Sequence, residues 1–189
     1  MATRARIGIE RTDGSILTSY CHYDGYPGGL GYNLVTNWTN YDKVLEAIEL
    51  GDASTWGSEI GVKHPFSYHE AYVSLDSNET MDRNEFNKAY GDMNTYYQRD
   101  RSEIGAFPVD FKDAYMYKMN GSMAGEEYLY LFASPSAFPA GVGCQWSYID
   151  TGPGVAHRTW ELLHMVASKE HHQMMKRAEE LTKRGEFVG

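Results

Sequence analysis

The chain has 189 residues, 42% of them hydrophobic, enough for one buried core and within the usual span of a single domain. Its formal net charge of −9 repels phosphate backbones, so long DNA or RNA is a disfavoured partner, and its acids interleave with Lys and Arg instead of forming the dense face of a nucleic-acid mimic. No apolar run nears the roughly 20 residues that span a bilayer, the short apolar stretch after Arg6 is no signal-peptide core, and Cys21 and Cys144 read as reduced thiols, so a cytoplasmic protein with no membrane partner is expected.

Residues 3–10 alternate, with Arg4, Arg6 and Gly8 to one side and Ala5, Ile7 and Ile9 to the other. Asp13-Gly14-Ser15 then makes a turn before 16–23 alternate again. A β-hairpin is expected, with Ile7 opposite Cys21 and Ile9 opposite Ser19. That register gathers an apolar face, on which Cys21 is a buried thiol, and sets Arg4 and Arg6 opposite Asp24 and His22 on the other. Leu30, Leu34 and Trp38 recur at helical spacing. Val44, Leu45 and Ile48 with Leu50 mark a second short helix, started by Asn40 or Asp42 and stopped by Gly51. Residues 52–95 are polar and weakly periodic apart from a helix near 82–90.

Strands are expected at 95–99, 114–119, 127–133 and 145–150, the middle two joined by the Gly-containing loop 120–126, so that an antiparallel sheet continues the hairpin. The segment from about Val155 to Lys183 reads as one long helix, opened by Asp150 or Thr151 with Pro153 and closed by Gly185. Its near-heptad seam of Trp160, Leu163, Ala167, Met174, Ala178 and Leu181 is broken by Glu170 and His171, so the helix either crosses the sheet or joins a second subunit. The expected fold class is therefore α+β: an antiparallel sheet with an N-terminal β-hairpin, two short helices and a long C-terminal helix. Residues 1–154 form the domain, and 155–189 the helix, as part of the same domain or as an oligomerisation element.

The twelve positions from Tyr20 to Gly31 hold His22, Asp24, Cys21, three tyrosines and four glycines, more chemistry than a strand or helix needs. On a strand Tyr20, His22 and Asp24 share a face, so the acid can orient the imidazole as half of a general acid–base pair. Arg4 and Arg6 across the hairpin would grip a phosphate or carboxylate. The plainer alternative makes Asp24 an acceptor of turn hydrogen bonds and His22 a satisfied polar residue at the core edge. Gly28-Gly29-Leu30-Gly31 opens a helix after a strand, where backbone N–H groups favour an anion, although the lysine and hydroxyl of a P-loop are missing. Arg99 and Arg101, sent to one face by strand alternation, make a second anion clamp or else a solvated strand end. His157, Glu161, His164, Ser168 and His171 share a helix face without a zinc motif, so no metal or other cofactor is expected.

The blocks Thr3-Arg4-Ala5-Arg6-Ile7-Gly8-Ile9, Asp13-Gly14-Ser15 and Tyr20-Cys21-His22-Tyr23-Asp24-Gly25-Tyr26-Pro27, with 44–52 and 97–103 further on, resemble a family of small uncharacterised proteins of tailed phages and some bacteria. Tyr23 stands where that family more often has Trp. The resemblance implies a phage-encoded accessory protein working in the cytoplasm of the bacterial host, in host takeover or counter-defence. Taken with the candidate residues, the expected function is binding of a small anionic, nucleotide-like ligand by Arg4, Arg6, Tyr20, Tyr26, Gly28, Gly29, Arg99 and Arg101, with aromatic rings stacking a base and arginines meeting phosphate. Two alternatives stand beside it: an enzyme cleaving such a ligand with His22 and Asp24 as acid–base pair, and an inhibitor of a host protein that has no small-molecule site. A homo-oligomer built through the terminal helix is the other expected partnership.

Overall fold

The computed structural model describes residues 2–67, 69, 82–133 and 145–184. Strands β1 (Ala5–Glu10) and β2 (Ile16–Cys21) form the antiparallel N-terminal hairpin. Its register is Ala5↔Cys21, Ile7↔Ser19 and Ile9↔Leu17, two residues away from the expected pairing. The turn accounts for the shift. Arg11 and Ser15 close it through an N–H donated to the Ser15 carbonyl at 2.8 Å, Gly14 takes φ 84°, and the Asp13 carboxylate accepts from the Ser15 backbone N–H. The loop is therefore Thr12-Asp13-Gly14, with glycine at the left-handed position that three-residue hairpin loops require. A two-residue shift keeps every side chain on its face, so Cys21, Ile7 and Ile9 lie together in the core while Arg6 and Tyr20 are opposite each other on the other face.

The remaining strands are β3 (Ala53–Thr55), β4 (Thr95–Tyr96), β5 (Val109–Phe111), β6 (Tyr128–Ala133), β7 (Gln145–Asp150) and β8 (Glu161–Leu162). The order across the sheet is β4-β3-β2-β1-β6-β7-β8, with β5 also pairing along β2. The sheet is mixed, because β1 runs parallel to β6 and β2 parallel to β3, whereas the other pairings are antiparallel. Parallel neighbours need a crossover, and the two short helices expected after the hairpin supply the one from β2 to β3. They are α1 (Tyr32–Asn37), entered through a π-helical turn at Pro27–Gly31, and α2 (Tyr41–Glu49), whose Asn40 side chain accepts from the Lys43 N–H. Both cover one face of the sheet, where Ile7, Ile9, Leu34, Trp38, Ile48 and Phe132 are buried.

Two expected strands differ. Residues 114–119 form a helix, α5 (Ala114–Asn120), because Asp113 caps it by accepting from the Met116 N–H and its buried residue Tyr117 seats on Gly8 of β1. The Tyr117 hydroxyl donates to the Arg6 carbonyl at 2.7 Å, anchoring that helix on the second face beside Ile16, Phe111 and Leu129. Of 95–99, Thr95 and Tyr96 alone are strand, and the chain turns into α4 (Tyr97–Arg101). The helix expected near 82–90 is α3 (Arg83–Tyr90), opened by a capping box of Asp82 and Glu85.

The terminal helix α6 (Leu163–Lys183) begins later than expected, because Glu161 and Leu162 pair with β7 and only then does the chain coil. Trp160 leaves the expected seam and stacks on Tyr117, 5.7 Å between centroids. Leu163 and Ala167 are buried in the first core, whereas Met174 and Met175 are exposed. No described helix is long and apolar enough to cross a membrane. The expected stop at Gly185 and the thiol of Cys144 lie outside the described residues.

Candidate functional site

The polar face of the hairpin carries the residues that sequence reasoning singled out, and the fold gives each a different role. Arg6 is 3% exposed. Its Nη2 and Nε donate to Glu126 Oε1 at 2.6 and 2.9 Å, and Nε also to the Gly121 carbonyl at 3.0 Å. The acceptor residue is itself buried, so this guanidinium is tied into the fold, while Arg6 also lines the cavity at which Arg4 stands. Arg4 is different. It is exposed, donates through Nη1 to the Ala124 carbonyl at 3.1 Å, and has no carboxylate within ion-pair reach among the described residues. It stands at a cavity of 540 Å³ lined also by Tyr20, Asp52, Tyr97 and Glu103.

From the wall of that cavity Tyr20 bonds His22, hydroxyl to Nδ1, at 2.7 Å. Burial pushes the Tyr20 phenol up to about 12, so it stays protonated at neutral pH. Asp52 accepts from the Tyr20 backbone N–H at 2.8 Å, and burial raises its carboxyl above the ordinary value.

Asp24 does not join His22. It sits at φ 57°, in the left-handed region, so the strand alternation that would have put both on one face ends before it. It lines two adjoining cavities instead, of 220 and 510 Å³, which share Tyr23, Thr55 and Trp56. Tyr26 lines the smaller one and covers Gly29, where a Cβ would lie 2.8 Å from its ring. The larger is walled by Tyr23, Trp56, His64, Phe66, Phe86 and Tyr90. No family profile, curated protein or solved structure matches this chain.

The Gly28 turn does bind an anion at its N–H, and the anion belongs to the chain itself. Glu170 of α6 accepts from the Gly28 N–H at 3.0 Å, His171 Nδ1 lies 3.2 Å from the Gly28 carbonyl, and the His171 ring stacks on Tyr32 at 3.7 Å. The polar break in the helix seam is thus its docking point. Arg99 is likewise consumed: its donors go to both oxygens of Asp100 and to the carbonyls of Ile60, Gly61 and Asn94, with Tyr96 under the guanidinium at 4.8 Å. Because 97–101 are helical, Arg99 and Arg101 project about 200° apart and make no clamp; Arg101 lies over Phe66 at 5.0 Å.

The structure therefore brings Arg4, Arg6 and Tyr20 to one cavity, with His22 bonded to Tyr20 beside it and Tyr97 as the divider. Tyr97 faces Tyr20 in one cavity and touches Phe66, a wall of the other, with 5.3 Å between centroids. His22 completes the link, its ring edge-on to Tyr23 at 4.5 Å. Sequence reasoning missed Trp56, Phe66, Tyr90 and Tyr97, which lie in or beside the stretch read as weakly periodic. Their aromatic density was the available signal. No group of three or more His, Cys, Asp or Glu is placed to hold a metal among the described residues.

Proposed function

We propose that this chain binds a small anionic, nucleotide-like ligand, with phosphate at Arg4 and the base in the aromatic cavity beside Tyr23. The observation that carries the reading is Arg4 itself, a cation without a carboxylate partner among the described residues, at a polar cavity joined through Tyr97 and Phe66 to an aromatic one. Guanidinium donors suit phosphate, and flat rings suit a base. The resemblance of the N-terminal blocks supports a setting in a phage-infected bacterial cytoplasm, where sequestering a nucleotide would serve host takeover or counter-defence.

Calorimetric titration with mono-, di- and cyclic nucleotides tests this. Arg4→Ala should weaken binding at least tenfold at unchanged melting temperature, and a protein that binds none of the panel is not a nucleotide binder. Cleavage of the same ligand is a second reading, favoured by the Tyr20–His22 bond, which holds the imidazole ring in one orientation for proton transfer. Product analysis after incubation separates it from retention. The exposed distal half of α6 supports pairing with a second copy, since an antiparallel partner centred on Ala178 would set Lys176 against Glu180 and Arg177 against Glu179.

A further inference from the structure

We propose that the aromatic cavity selects guanine, and that Asp24 is the residue that reads it. The inference rests on the nucleotide reading above and names the base. Two observations point to a ligand in this place. The first is the Asp24 carboxylate: among the described residues no donor hydrogen-bonds it and no cation pairs with it, and neither cavity that it lines contains a Lys or Arg. The second is the wall itself: Tyr23, Trp56, Phe66, Phe86 and Tyr90 line the larger of the two cavities.

The chemistry of the vacant carboxylate decides the base. Its two oxygens accept and cannot donate, so the complementary edge must present two adjacent N–H donors. Guanine does so with N1–H and the N2 amino group. Adenine and cytosine each set one amino group beside an acceptor ring nitrogen, which a carboxylate would repel, and uracil has a single N–H between two carbonyls. The surrounding rings of Tyr23, Phe66, Phe86 and Tyr90 offer flat faces for stacking, which is indifferent to base identity. Specificity thus falls to Asp24 and affinity to the aromatic walls with Arg4.

The backbone at Asp24 makes the test clean. Its φ of 57° lies where Asn is as well tolerated as Asp, so Asp24→Asn should fold normally while replacing one acceptor oxygen with an NH₂ donor. Full-length protein is titrated with GMP, IMP, AMP, CMP and XMP, with calorimetry and tryptophan fluorescence as readouts. Wild type should bind GMP at least tenfold tighter than IMP, which lacks the N2 amino group, and tighter still than AMP or CMP. Asp24→Asn should lose at least tenfold for GMP and gain for XMP and AMP, whose O2 carbonyl and ring N1 respectively accept from the new amide. Equal affinity for all five nucleotides, abolished by Arg4→Ala, would overturn the guanine assignment alone. Unchanged GMP affinity in Asp24→Asn would do the same. Failure of every nucleotide to bind would overturn the parent reading and this one with it.

Discussion

Glu126→Ala should be among the most destabilising single changes in this chain. It leaves the Arg6 guanidinium buried at 3% exposure with the Gly121 carbonyl at 3.0 Å and a long 3.5 Å contact to Thr18 Oγ1 as its remaining partners. Removing one member of a buried, hydrogen-bonded pair costs about 3–5 kcal/mol, because the other charge stays desolvated. In a domain of this size each kcal/mol moves the melting temperature by roughly 2–4 °C, so a fall of about 6–20 °C is expected. Glu126 also accepts from the Ala124 N–H at 2.7 Å, and the Ala124 carbonyl holds Arg4, so the loop that presents Arg4 should loosen as well. Urea denaturation of Glu126→Ala, Arg6→Met and the double variant Arg6→Met/Glu126→Leu gives the coupling between the two residues. The double variant should lie closer to wild type than Glu126→Ala, since an apolar pair leaves no stranded charge. A loss below about 1 kcal/mol in Glu126→Ala would refute the structural role. An Arg6→Met protein of wild-type stability that no longer binds nucleotides would return Arg6 to the ligand site.

Gly28→Ala would set a Cβ 2.9 Å from the Glu170 Cβ and 3.1 Å from the α6 backbone, an overpacking worth about 1–3 kcal/mol; hydrogen exchange should then quicken across 163–171, and unaltered protection would show that α6 docks elsewhere. Cys21 is fully buried, with its thiol pushed up to about 12 by desolvation, so iodoacetamide at pH 8 should alkylate it in urea and not in the native protein, and rapid native labelling of its peptide would contradict its place in the core. Burial holds the Tyr96, Tyr117 and Tyr130 phenols above their ordinary value. The folded state therefore keeps protons that the unfolded chain releases, so their contribution is complete below pH ~10 and is lost as pH rises further, by about 1.4 kcal/mol per pH unit for each group. Denaturation at pH 9 to 11 with tyrosinate absorbance measures it, and a flat profile would mean the rings ionise in place. Met174→Glu combined with Met175→Glu should convert a dimer to a monomer in sedimentation, and a wild-type protein that is already monomeric would end the second-copy proposal for α6.

Local pattern alone was enough for the elements whose causes are local. Alternation set which hairpin residues share a face, a start at Asn40 or Asp42 and a helix near 82–90 were legible for α2 and α3, and 128–133 and 145–150 were legible as strands. The helical state of 114–120 and the late start of α6 were not, because each depends on a partner distant in sequence, Tyr117 on Gly8 and Leu162 on Ser147, while the hairpin register turned on which three residues the loop takes. The site divides in the same way. His22, Tyr20 and Arg4 were recognisable from two short alternating stretches joined by a turn. That Arg6 is spent on Glu126, 120 residues away, that Glu170, 142 residues on, fills the Gly28 turn, and that Arg99 is ringed by carbonyls could come only from the tertiary structure. Hydrophobic period and capping act within a few residues, whereas a charge becomes ligand site or scaffold according to which opposite charge and which acceptors the folded chain brings within about 3 Å of it.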